Sequence, residues 1–268
     1  MISYRKMLGQ ILPPLVVGLV RRLLPRAVKW VGDYPTWKDA EFCSSGYDTG
    51  VVFECVLAGA RKARDGLVAY ERDSVTFEEP EYVWPVLSGL LLAAARNSGG
   101  LNVLDVGGGL GSLYYQHLPL LRGIGLKRWA VVEQPHVVEA GKREFQDRVL
   151  RFHVDIPSCL AESVPNAVLL SGVVQYLPEP YALLAQVCDL GADVIIHSRT
   201  AFSLKDKDRL TVQKVSPEIY QASYPAWFLS RKRFYEIFEE RYELLASFPG
   251  CEGRYVPGFF EGGVLVRT

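Results

Sequence analysis

The chain has 268 residues, enough for one large domain with an appendage, and its 30 Lys and Arg balance 30 Asp and Glu. A zero net charge gives nucleic acid no global footing, so that class of partner is set aside. Its five cysteines are scattered, odd in number and never in C-x-x-C, which excludes a disulfide framework or a zinc site and fits a reducing, cytoplasmic setting. No metal is expected.

Residues 1–30 carry six basic side chains (Arg5, Lys6, Arg21, Arg22, Arg26, Lys29) and no acid. The apolar run 11–20 is about half the length of a bilayer span, and Pro13 and Pro14 interrupt it. Two readings stand: a basic amphipathic segment in peripheral contact with the cytoplasmic face of an anionic membrane, or a helix docked on the domain. Residues 31–98 form an expected helical cap. A loop around Pro35 leads to a short helix capped by Thr36 or Asp39, then to a helix over residues 51–63. The stretch 70–82 sets Glu71, Arg72 and other polar side chains beside Tyr70 and Tyr82, as a pocket wall or as a solvated connector. Pro85 suits the first turn of a helix that runs to about Arg96.

Residues 99–268 form the third part. The buried run 101–106 ends at Asp105 and Val106 and opens into Gly107, Gly108, Gly109 and Gly111, with a helical pattern behind it. This is the first strand–loop–helix of a nucleotide-binding α/β sheet. A dinucleotide fingerprint, G-x-G-x-x-G, would need glycine at position 112, where Ser112 stands. Strand two, 129–133, ends in Glu133, 22 positions beyond Gly111, the place from which a carboxylate holds a ribose hydroxyl pair. The alternative role for Glu133 is to cap the next helix, which starts after Gln134 at Pro135. Strand three, 150–155, brings Asp155 to an adenine-facing position or to a plain turn before Pro157.

Strand four, 166–172, is continuously apolar and delivers Ser171, Gly172, Gln175 and Tyr176 to the carboxyl rim, where such sheets bind ligands. A helix over 180–189 precedes strand five, 192–196, after which His197, Ser198, Arg199 and Thr200 emerge at that rim. His197 there is a candidate general base or an ordinary hydrogen-bonded histidine. Residues 201–214 look like a charged, flexible insertion, and 220–228 an aromatic stretch with a central proline. Ser230 caps a helix over 231–240, and 242–247 and 262–267 alternate as the last two strands.

The acid followed by G-x-G-x-G at Asp105, Gly107, Gly109 and Gly111 resembles motif I of class I S-adenosylmethionine (SAM)-dependent methyltransferases. The segments GYD (46–48), YERDSVTFEEPEY (70–82), VLDVGGGLGS, VVEQP, QYLPEPY, RTAFS, TVQKV and YPAWFLS further resemble a bacterial methyltransferase family. That family is often encoded among genes for surface polysaccharide, lipopolysaccharide or capsule. The resemblance runs from about Trp30 to about Tyr242. It implies a Rossmann-like α/β fold with seven strands in order 3-2-1-4-5-7-6, the seventh antiparallel, and SAM as cofactor with S-adenosylhomocysteine as product. One departure is His197, where the family is expected to carry an acid.

The function expected is methyl transfer to an oxygen of a saccharide or its phosphate, on a nucleotide sugar or lipid-linked glycan. Asp105, Gly107, Gly108, Gly109, Gly111, Glu133, Gln134, Asp155, Ser171, Gly172 and Gln175 would hold the cofactor. His197, Arg199 and Glu71 would serve catalysis, and Arg72, Tyr82, Tyr176, Tyr224 and Trp227 the acceptor. Two other classes remain: a non-catalytic SAM-binding scaffold in a polysaccharide assembly complex, and a nicotinamide-dependent oxidoreductase, which Ser112 disfavours.

Overall fold

A computed structural model describes residues 28–45, 49–72, 74–215, 222–250 and 257–268. Most of the basic N-terminal segment, the GYD segment and Tyr220 lie outside the described residues. In chain order the first part holds β1 (Val28–Tyr34), α1 (Trp37–Phe42), α2 (Thr49–Arg64), the hairpin β2 (Tyr70–Arg72) and β3 (Val75–Phe77), and α3 (Trp84–Arg96). Then come β4 (Gly100–Val106), α4 (Ser112–Leu121), β5 (Gly125–Val132), α5 (Pro135–Glu144), β6 (Leu150–His153), α6 (Ile156–Leu160) and β7 (Ala167–Ser171). A 3-10 turn (Val174–Tyr176), α7 (Pro180–Asp189), β8 (Val194–Ser203), β9 (Arg209–Val215) and β10 (Ala222–Phe228) follow. The described chain finishes with α8 (Arg231–Glu236), β11 (Tyr242–Pro249) and β12 (Gly258–Arg267).

The main sheet has seven strands ordered β11-β12-β8-β7-β4-β5-β6. Pairing is parallel from β6 through β8, and β12 runs antiparallel to both its neighbours. Counted along this sheet alone, the order is 3-2-1-4-5-7-6 with the seventh strand antiparallel, the order the resemblance implied. Strand β4, between β7 and β5, is flanked on both sides and buries Leu101, Val103, Leu104, Asp105 and Val106. That continuous burial is why its sequence does not alternate. Helices α3, α4 and α5 cover one face, with Leu90, Tyr114 and Val138 in the same core as Val103 and Ile196. On the other, α6, α7 and α8 bring Ile156, Leu184 and Phe234 against Leu104, Leu170 and Ile195. Gly89 lets α3 lie directly on the sheet, since a Cβ there would meet the Ile196 side chain. No described helix is long and apolar enough to cross a membrane.

The region expected to be a flexible insertion is instead ordered sheet. Residues 201–203 continue β8, and β9 is the middle strand of a second, three-stranded antiparallel sheet, β1-β9-β10. Of the charges that suggested flexibility, Lys205, Asp206, Lys207 and Asp208 lie in the β8–β9 turn, whereas Arg209 and Lys214 belong to β9. In that turn Asp208 accepts from the Tyr181 hydroxyl, the Ser230 backbone N–H and Arg233, while Asp206 accepts from Ser230 Oγ. Pro225 is tolerated within β10 because this is an edge strand of that sheet. As expected, Ser230 caps α8 by accepting from the Arg233 N–H at 3.2 Å, although the helix ends at Glu236 rather than 240.

Candidate functional site

At the end of β4, Asp105 is almost fully buried. Its Oδ2 accepts from the Trp129 indole of β5 at 3.0 Å, while Oδ1, equally buried, has no hydrogen-bond partner. Burial pushes this carboxyl up to about 7; the indole bond opposes the shift and nearby Glu133 adds to it. Gly108 lies directly over the carboxylate. Gly107 adopts φ +72, and a Cβ there would strike Val173 just past β7. Gly109 differs: at φ +59 a Cβ would point into open space, so nothing in the protein occupies the volume above it. Gly111 then turns the chain into α4.

Glu133, one residue past β5, faces this loop. Its carboxylate accepts from the Gln134 N–H at 2.7 Å and from the Gly109 N–H. Desolvation raises its pKa, and those two backbone bonds pull it back. Gln134 is exposed at the start of α5. Asp155 caps α6, its Oδ1 accepting from the Ser158 N–H at 2.8 Å, and the bonds from Ser158 hold its pKa below the usual carboxylate value. Asp155 thus stands at the turn before Pro157, with its exposed carboxylate at the end of β6.

The cap reaches the loop through Glu71. Its side chain is 3% exposed; Oε2 accepts from Ser112 Oγ at 2.7 Å and Oε1 from the Ser74 N–H at 2.7 Å. Ser112, the residue that breaks the dinucleotide fingerprint, thus ties the β2–β3 hairpin to the first turn of α4. Sequence reading had no signal for that pairing across 41 positions. The Arg72 guanidinium lies 5.4 Å from the Tyr70 ring, and Tyr82 packs on Trp84 and on His117 of α4.

One expectation needs correction. Strand β8 does not end at Ile196 but runs to Ser203, and His197, paired with Leu170 near the end of β7, turns its side chain into the core instead of toward the rim. It is 0% exposed, with its ring against Phe234 at 4.8 Å. Tyr235 donates its hydroxyl to Glu261, so the imidazole Nε2–H donates to the tyrosine oxygen at 2.9 Å and Nδ1 accepts from Thr200 Oγ1 at 3.0 Å. Burial, with Arg231 nearby, lowers its pKa to about 3. A neutral imidazole with both nitrogens engaged away from the rim is no general base for an acceptor.

Ser171 and Gly172 close β7, and Gln175 sits in the 3-10 turn with Nε2 donating to the Arg199 carbonyl at 3.1 Å. Tyr176 donates to Gln213 Oε1 at 2.8 Å, Gln213 donates to the Tyr224 hydroxyl, and Trp227 donates to the Leu177 carbonyl. These three aromatics dock the second sheet onto the 3-10 turn, and each keeps part of its surface accessible. Gln213, which joins two of them, was missed because it falls in the stretch expected to be flexible.

No family model matches the chain, and no curated protein matches its sequence. Among solved structures, the chain is similar to magnesium protoporphyrin IX methyltransferase from Synechocystis PCC 6803 at 16% identity, over 84% of this chain and 87% of that one, with a TM-score of 0.44. A glycopeptide N-methyltransferase complexed with SAM matches at 16% identity over 68% and 93%, TM-score 0.47. An amino pentose methyltransferase from Micromonospora echinaspora matches at 13% over 70% and 92%, TM-score 0.46. These likenesses are weak, and the sheet order stands without them.

Proposed function

We propose that the chain is a SAM-dependent methyltransferase acting on an oxygen of a saccharide or its phosphate. The observation that carries this reading is the open volume above Gly109, bordered by Glu133 and underlain by Asp105 with its unpartnered oxygen. An uncompensated buried oxygen beneath a glycine turn that leaves open space above it fits a polar, cationic ligand. Glu133 would bind the ribose hydroxyls, Asp105 would order the loop and the methionine end, and Asp155 would face the adenine. When bound, the cofactor supplies an activated methyl group on a sulfonium. The chain has then to align an acceptor oxygen and remove its proton. With His197 withdrawn, Glu71 is the carboxylate that the cap brings to the loop, and we assign it the proton.

The resemblance to proteins encoded among polysaccharide genes supports a nucleotide sugar or lipid-linked glycan as acceptor, at the cytoplasmic side of a membrane. A second reading, a cofactor-binding scaffold without catalysis, is favoured by the burial of His197. Calorimetry with S-adenosylhomocysteine and NADH tests the cofactor: binding of the first and not the second is expected. Labelled SAM incubated with nucleotide sugars and lipid-linked glycans then separates enzyme from scaffold. Cofactor binding without label transfer to any of them would favour the scaffold.

A further inference from the structure

Helix α3 turns an uncharged face outward. Its buried side, with Val86, Leu87, Gly89, Leu90, Ala93 and Ala94, packs on β4, β8 and β12. The outward positions are Trp84, Ser88, Leu91 and Ala95, with Trp84 60% and Leu91 40% exposed. A surface helix ordinarily carries its charges there. Helix α5, on the same side of the sheet, does so with Glu139, Lys142 and Arg143. In α3 the only charge is Arg96, its last residue.

Spacings of four, three and four residues keep these side chains within a strip about 60° wide around the helix. That is the narrow seam along which two helices pack, not the broad stripe that faces a core. Along the strip a large side chain alternates with a small one: Trp84, Ser88, Leu91, Ala95. The pattern is its own complement about a point between Ser88 and Leu91. In a second α3 laid antiparallel, Trp84 meets Ala95 and Leu91 meets Ser88, so every large group falls opposite a small one.

The charges flanking the strip share this symmetry. Glu78, Glu79 and Glu81 are exposed just before Trp84, whereas Arg96, Lys127 and Arg267 are exposed around the other end. There Arg96 donates to the Arg267 carbonyl at 3.1 Å, and Lys127 Nζ lies 3.3 Å from where a Cβ on Gly100 would stand. One acid, Asp193, stands among these cations and accepts from Asn97. An antiparallel partner brings the acidic end of each copy to the basic end of the other. The three acids beside Trp84 also oppose docking of this face on an anionic bilayer.

We propose that α3 is a homodimer interface, in which two copies of the chain pack antiparallel α3 helices about a two-fold axis between Ser88 and Leu91. A seam one helix long lies at the small end of specific interfaces, so the dimer is reversible, with a dissociation constant in the micromolar range. This goes beyond the methyltransferase reading and does not rest on it.

Sedimentation equilibrium of the full-length protein tests it, at concentrations up to about 0.1 mM, where a micromolar dimer is well populated. Wild type should be dimeric there. Leu91→Lys should weaken association at least tenfold, because it buries an unpaired charge in the seam. Its melting temperature, read at a dilution where both proteins are monomers, should match wild type, since the side chain is exposed. An exchange of sizes checks the register. Trp84→Ala should weaken the dimer, and Ala95→Trp, which sets tryptophan against the partner's Trp84, should abolish it. The double variant, with large and small exchanged, should regain most of the wild-type affinity. A wild type that stays monomeric at every concentration overturns the proposal. Sedimentation with phosphatidylglycerol vesicles that Leu91→Lys loses would then assign the face to a membrane. Association unchanged in Leu91→Lys, or a double variant no tighter than Ala95→Trp alone, overturns it as well.

Discussion

Asp105 at the end of β4 and His197 within β8 are both buried ionisable groups in the same sheet, and their surroundings treat them in opposite ways. His197 has both nitrogens bonded, to Thr200 and Tyr235, and Tyr235 is in turn bonded to Glu261, which Arg231 holds at 2.9 Å. Asp105 has one oxygen satisfied by Trp129 and one satisfied by nothing, beneath a loop with open volume above it. Native proteins rarely leave a buried polar atom unpaired without a reason. The closed network at His197 is a structural device that fastens α8 and β12 to β8, whereas the open one at Asp105 lies under the loop that the proposed function assigns to the cofactor. The location of a histidine or an acid in the sequence did not separate the two; the count of satisfied lone pairs did.

The sharpest way to break this comparison is Gly109→Val. A branched side chain at φ +59 is strained and fills the open volume, so S-adenosylhomocysteine affinity should fall by more than about 3 kcal/mol, with the fold kept. Calorimetry and a thermal melt on one sample check both halves. His197→Ala should do the reverse. It leaves a cavity and strands the Thr200 and Tyr235 hydroxyls, costing about 3 kcal/mol of stability, or roughly 6–12 °C in melting temperature. Cofactor-product affinity should stay within twofold; a large loss there would return His197 to the site. Smaller again, Glu133→Ala should weaken S-adenosylhomocysteine binding by about 1.5–3 kcal/mol, the scale of hydrogen bonds to a charged group. Unchanged affinity in that titration would remove Glu133 from the ribose.

Much of this comparison was legible before any coordinates. The apolar run into Asp105, the glycine spacing and the interval to Glu133 are local patterns, and each lies where the strand–loop–helix reading put it. The length of β8 was not legible, since Lys205, Asp206, Lys207 and Asp208 drew attention to a turn that begins only after Ser203. Strand β9 does carry a polar–apolar alternation from Leu210 to Gln213, but the charges of 205–209 and Lys214 around it read as a solvated turn, and nothing local shows that Thr211 and Gln213 are buried. The bulge in β8, where Ser198 and Arg199 oppose the single Gly262 of β12, has no local signature at all. It exists because Gly262 on β12 and Gln175 beyond β7 hold the backbone from either side, and such pairings are not visible along one stretch of chain.

The finest test of the contrast is a pH titration of stability with Asp105→Asn. An unfolded Asp titrates near about 3.9, while in the folded chain Asp105 is raised to about 7. Between those values the folded state keeps a proton that the unfolded state has released, so this residue's contribution falls as pH rises from about 4 to about 7. His197 acts with the opposite sign. Its folded value of about 3 lies below the roughly 6.5 of an unfolded histidine, so its contribution is complete above that value and is lost as pH falls. In wild type the two slopes oppose each other across one window. Asparagine keeps an oxygen for the Trp129 indole and removes the titration, leaving the slope from His197 exposed. The variant should therefore gain on wild type by about 1–2 kcal/mol between pH 5 and 7, part of the roughly 2.7 kcal/mol that full linkage over two pH units would give. Denaturant melts at pH 5, 6 and 7 measure it. Parallel curves for variant and wild type would mean that Asp105 is ionised throughout, and that its second oxygen is compensated in solution by something other than a proton.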